Sequence, residues 1–178
     1  WYADNYLLCD YNLYMQRILL QLMVPRYLKK ILDVKYGDDY KPRENTLFGM
    51  TVINTLKRKS DHDYTYKRNQ YSQGEYKIKN STEAYFINVS VDRVKRNGFA
   101  FCQRRNFQIV KALDKSIRED LYINAIVNKE KYGIEYQTTI VDFLDLYDIS
   151  DDELSYESVR KDFNRNRRKL AEKLKISA

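Results

Sequence analysis

The sequence predicts a mainly α protein of the α+β class. The expected architecture is a helical bundle with a small β-hairpin and a C-terminal helix-turn-helix-like pair. Three observations carry that expectation. Phe107, Val110, Leu113, Ile117, Leu121 and Ala125 recur at steps of three or four, the period of one buried helix face. Tyr85, Ile87 and Val89 alternate with Phe86 and Asn88, the period of a half-buried strand. After Ser155, the residues Tyr156, Val159, Phe163, Leu170 and Leu174 share one face of a strongly basic segment.

The elements follow in chain order. Residues 6–24 are dense in apolar groups, and Leu7, Tyr11, Met15, Ile18 and Leu22 share a helical face. Leu8, Leu19, Leu20 and Met23 widen that stripe, so a buried helix is predicted, ending at Pro25. A second helix is predicted over 26–35, stopped by Gly37. Residues 38–43 read as loop. Phe48, Val52 and Leu56 predict a helix within 45–59, with the β-branched Thr51, Val52 and Ile53 keeping a strand as the alternative.

Residues 60–73 read as a long polar loop or an irregular hairpin arm, followed by strands over 74–79 and 84–89 with a turn at 80–83. Ser90 is placed to cap a short helix over 91–97, ending at Gly98. The long apolar stripe predicts a helix over 105–131, closed by Gly133. Thr139, with Asp142 three residues on, reads as the cap of a helix carrying Ile140, Phe143, Leu144 and Tyr147. Ser155 starts the last helix. Residues 1–178 read as one domain. The alternative is a subdivision into an N-terminal helical part, 1–79, and a C-terminal part, 80–178.

Composition narrows the class. The 178 residues are 43% hydrophobic, too apolar for a disordered chain. Five Gly and two Pro exclude collagen-like and low-complexity sequences. No stretch approaches the ~18 uncharged apolar residues of a membrane-spanning helix, so no membrane partner is expected. Cys9 and Cys102 lack any metal or redox spacing, which predicts a reducing, cytoplasmic compartment and no disulfide framework. The chain begins at Trp1 rather than Met and reads as a fragment or processed product. Its 17 Tyr fit translation from an AT-rich gene. The functional alternative is a surface of stacking aromatics.

Charge is uneven near the C-terminal end. Residues 135–154 carry Glu135, Asp142, Asp145, Asp148, Asp151, Asp152 and Glu153, with no Lys or Arg. Residues 155–178 carry eight Lys or Arg, among them Arg165, Lys169, Lys173 and Lys175, against three acids, a balance of +5. An acidic helix, a polar turn and a basic amphipathic helix give the layout of a helix-turn-helix reader. Arg160, Lys161, Asn164, Arg167 and Arg168 are the predicted contacts. Guanidinium groups suit phosphates and the guanine edge, and Asn pairs with adenine. A second cluster, Arg96, Arg104 and Arg105 with Arg93 and Lys95, is predicted to touch backbone. The 74–89 hairpin would then act as a wing beside the docked helix. A third cluster spans Lys57–Lys59, Lys67 and Arg68. Against all this, a charge run is usually a solvated face, and a helix C-terminus favours cations without any ligand.

Other chemistry finds little support. Asn97–Cys102 resembles part of the RNA-recognition-motif signature. The closing aromatic position is Arg104, however, and the spacing from Tyr85–Val89 is too short for that fold. Asp63, Glu75 and Lys77 give a short nuclease-like pattern that arises often by chance. His62 is the only histidine, which excludes paired-His sites. Asp151, Asp152 and Glu153 lack calcium-loop spacing and read as cap and turn. No cofactor or metal site is expected.

The expectation is therefore a non-enzymatic protein that binds nucleic acid, duplex DNA more than RNA. Its setting would be a bacterial or phage-infected cytoplasm, as a regulator or accessory factor of a phage or mobile element. The alternative is a homo-oligomeric assembly or virion protein with Tyr-rich, charge-complementary interfaces.

Overall fold

The computed structural model describes residues 17–56, 82–97 and 103–174. Eight elements follow in order: β1 (Arg17–Pro25), α1 (Arg26–Tyr36), α2 (Leu47–Thr55), β2 (Thr82–Ser90), α3 (Val91–Asn97), α4 (Gln103–Tyr132), α5 (Tyr136–Leu146) and α6 (Tyr156–Leu174). The fold is mainly α with one two-stranded antiparallel ribbon, as the sequence predicts. Among the described residues, no helix is long and apolar enough to cross a membrane.

The ribbon has a different composition from the predicted hairpin. β2 pairs with β1, from Arg17 opposite Ser90 to Pro25 opposite Thr82. The predicted helix over 6–24 is thus corrected over its last part, and its residues 6–16 lie outside the described residues. Strand wins because Ile18, Leu20, Leu22 and Val24 also alternate, and that face is buried against Tyr85, Ile87 and Val89. Pro25 ends the strand and sits at the N-cap of α1, where its missing N–H costs nothing. The predicted strand over 74–79 lies outside the described residues. β2 belongs to the core and does not project as a wing.

The helices follow their local signals. Gly37 and Gly133 take positive φ, 77° and 69°, and end α1 and α4 in the left-handed geometry that favours glycine. Thr46 caps α2 through its Oγ1, which accepts from the Gly49 N–H at 3.1 Å. Ser90 and Ser155 receive the Arg93 and Ser158 N–H groups at the starts of α3 and α6, each at 3.4 Å. The predicted cap at Thr139 is corrected. α5 begins at Tyr136, and Thr139 is a buried residue whose hydroxyl accepts from Asn128 Nδ2 at 3.2 Å. The helical apolar period is visible only from Ile140 onward, because the preceding turn is polar apart from Tyr136.

Helix α4, 30 residues long, connects the two ends of the core. Its first half lies against β1 and α2 and meets α1 through the Tyr27–Asp114 hydrogen bond, and its second half lies against α5 and α6. Asn106 fixes the first junction. Its side-chain amide donates to the Met23 carbonyl at 2.7 Å and accepts from the Met23 N–H at 2.8 Å. The side chain thus closes the outer edge of β1 as a neighbouring strand would. Asn106 is 7% exposed, so these backbone groups have little water to replace it.

Asn106→Ala is therefore expected to destabilise the protein by about 2–3 kcal/mol in urea unfolding, because two backbone groups lose their partner. A change within experimental error would show that the β1 edge is held by other contacts.

Candidate nucleic-acid interface

α6 is positioned by three sets of contacts. Val159, Phe163, Leu170 and Ala171 are buried in the core. On one flank, Tyr122 of α4 donates to Asp162 Oδ2 at 2.7 Å, and Lys173 reaches Glu119 at 3.3 Å. Burial, then the Asp162 carboxylate, raises the Tyr122 pKa well above the ordinary phenol value, so Tyr122 stays a donor. Asn166 Nδ2 donates to the Asp162 carbonyl at 2.9 Å on the same flank. On the other flank, the Arg167 guanidinium lies 5.4 Å from the centre of the Tyr136 ring, and Tyr136 in turn contacts Phe163.

These contacts fix the rotation of α6 about its axis. Residues 160, 161, 164, 165, 168 and 169 are exposed as a result. The sequence-predicted residues divide into distinct roles. Arg160 forms a two-pronged pair with Glu157, at 3.1 and 2.9 Å, which holds the Glu157 carboxyl below its usual range. Arg168 pairs with Glu172 at 3.3 Å. Lys161 and Asn164 are exposed and make no ion pair or hydrogen bond with the described residues. Arg167 is half-buried over Tyr136 and binds α6 to α5.

Two further cations complete the face. Arg165 and Lys169 are exposed and also lack an ion-pair partner among the described residues. With Lys161 they recur every four residues, about 6 Å apart along the helix axis. That spacing is present in the sequence. It gains meaning only once Tyr122 and Phe163 define which side of α6 faces inward.

The second predicted cluster is elsewhere. Arg96 is exposed on α3, with Nε 3.4 Å from the Asp92 carbonyl. Arg93 is engaged by the Pro42 carbonyl at 2.8 Å and by Glu44 at 3.0 Å. Arg104 and Arg105 belong to the first turn of α4, and their side chains lie outside the described residues. Along α4 that turn is more than about 20 Å from Glu119, where Lys173 is anchored. The cluster Lys57–Lys59, Lys67 and Arg68 lies outside the described residues, as do His62, Asp63, Glu75, Lys77 and Asn97–Cys102 except for the backbone of Asn97.

The connection between α5 and α6, Tyr147–Ser155, is built from the acidic run. Asp151 Oδ1 accepts from the Tyr156 N–H at 3.2 Å, and Glu153 Oε2 accepts from the Ser150 N–H at 3.2 Å. Lys30 of α1 donates to Glu153 Oε2 at 2.9 Å and to the Asp148 carbonyl. The acids thus serve as cap and turn, and Lys30 attaches the turn to α1. Asp148 takes positive φ, 50°, a conformation that Asp tolerates better than most residues.

Described tyrosines are mainly structural. Tyr27, Tyr85 and Tyr122 are buried and donate to Asp114, the Gly37 carbonyl and Asp162. Burial and the Asp114 charge push the Tyr27 pKa up to about 12.

Glu153 sets a pH dependence. Burial raises its pKa, but the Lys30 and Ser150 hydrogen bonds outweigh burial and hold it below the ordinary value. A carboxyl with a depressed folded pKa stabilises fully above its unfolded value of about 4.3 and loses that contribution as pH falls through the folded value. The stability difference between the native chain and Glu153→Gln is therefore expected to be largest at neutral pH and to shrink on acidification below about 4.3. Urea unfolding across pH measures it, and a difference independent of pH would contradict the pairing.

Comparison with protein-family models, with curated proteins and with solved structures finds no match to this chain.

Proposed function

We propose that this chain is a non-enzymatic nucleic-acid-binding protein that holds duplex DNA on the outer face of α6. One observation carries the reading. Lys161, Arg165 and Lys169 are exposed, lie on one face and have no ion-pair partner among the described residues. Unpaired cations in a row supply the counterion-release term that dominates non-specific binding. Arg160 and Arg168 add to it at little cost, since their exposed ion pairs are weak and exchange readily for phosphate. Asn164 stands among them as a base reader.

Duplex DNA is favoured over duplex RNA by shape. The DNA major groove, about 12 Å wide, admits a helix, whereas the deep A-form groove does not. The link Tyr147–Ser155 is longer than the roughly 3–4-residue turn of a helix-turn-helix. The proposed contact is therefore one basic helix laid on DNA, with α5 as its neighbour rather than as the backbone-spanning first helix of that motif. Lys30, joined to Glu153, braces the link from the α1 side.

The triple variant Lys161→Ala, Arg165→Ala, Lys169→Ala is expected to stay folded and to bind random-sequence duplex DNA more weakly. Its slope of log affinity against log salt should be smaller by about 2–3, one phosphate contact for each cation removed. Fluorescence anisotropy over a salt series measures both quantities. An unchanged slope would remove α6 from the reading, and absence of any binding by the native chain at low salt would end the reading itself.

A further inference from the structure

We propose that the outer face of α5 docks the basic face of α6 of a second copy of this chain. Asp142 and Asp145 are exposed on α5 and make no ion pair among the described residues. Beside them, Val141 is 37% and Leu146 70% exposed. An apolar surface set among carboxylates fits one kind of side chain well. Lys and Arg lay their aliphatic stems on apolar groups while their charged heads reach outward to acids. Lys161, Arg165 and Lys169 are side chains of that kind, and they recur along one helix face. Asp142 and Asp145 recur along the other, one helical turn apart.

The two faces belong to adjacent helices of one molecule, which pack on each other and on α4. Among the described residues, no ion pair joins the two sets within the chain, and both are exposed. Between two copies the sets can meet. A contact made by one helix face on another falls in the weak, transient class of interfaces, below about 1,200 Å². It is held by charges at the surface, so salt weakens it. The contact uses the face assigned above to DNA but does not rest on DNA binding. Where both occur, the carboxylates of one copy and the phosphates of DNA compete for the same cations.

Sedimentation velocity without nucleic acid tests the contact on the full chain. The native chain is expected to show a sedimentation coefficient that rises with protein concentration at low salt and stops rising at high salt. Two charge-reversed variants, Asp142→Lys with Asp145→Lys and Lys161→Glu with Arg165→Glu, are each expected to lose that rise. Mixed in equal amounts, they are expected to recover it, since each then offers the face the other needs. All four positions are exposed and outside the core; if either double variant loses its far-UV circular dichroism, Asp145→Lys and Arg165→Glu replace the pair. A native chain that stays monomeric at low salt overturns the proposal, as does a folded mixture that fails to associate. Neither result bears on the anisotropy measurement, so the two readings fail separately.

Discussion

Helix α4 has to be buried along two lengths at once, and most of the structure follows from how it meets that constraint. Its first half needs a partner for Ile109, Val110 and Leu113, and its second half for Leu121, Tyr122, Ala125 and Ile126. β1 and α2 pack against α4 on the first side, and α5 and α6 on the second. Polar groups align these partners where apolar contact alone would leave rotation free. Asn106 attaches α4 to β1, and Asp114 accepts from Tyr27 of α1 at 2.9 Å. Arg118 donates to both Asp114 oxygens, at 2.9 and 3.0 Å, and Tyr122 continues the series to Asp162 of α6. Such a series is worth having only when every member is satisfied, since an unpaired buried group costs more than a formed hydrogen bond returns.

The same arrangement accounts for the charge left outside. α6 commits Asp162, Arg167 and Lys173 to its neighbours, along with its apolar stripe. What remains outward is Lys161, Arg165 and Lys169, with Arg160 and Arg168 half-neutralised by Glu157 and Glu172. α5 likewise spends Thr139, Ile140 and Leu144 inward and leaves Asp142 and Asp145 outside. Among the described residues, α6 presents a basic face and α5 an acidic one, with no ion pair between them, which is the physical basis of both proposals.

Much of this was legible in the sequence wherever the signal was local. Gly37, Gly133, Ser90 and Ser155 mark helix ends through their own backbone or side chain, and the structure uses each as read. The stripe of α4 is long enough that no other period competes. β1 was not legible, because Ile18, Leu20, Leu22 and Val24 fit a period of two within a segment apolar enough to fit a helix also. The deciding partner is β2, which ends at Ser90 opposite Arg17. No local pattern carries a pairing of that range. Of the candidate site, the basic helix was legible from its charge. The pairing of Arg160 and Arg168 was equally local, since Glu157 and Glu172 stand three and four residues away, but the stacking of Arg167 was not, because Tyr136 of α5 assigns that role through space.

The proposed binding of nucleic acid depends on Lys161, Arg165 and Lys169 of α6. Backbone amide chemical-shift mapping of the isotope-labelled chain, titrated with a short random-sequence duplex, tests it most directly because it reports position rather than affinity alone. The largest shifts are expected over residues 160–169, with little change in β1, α1 and α3. Shifts centred on α3 and the first turn of α4, with α6 unmoved, would contradict it.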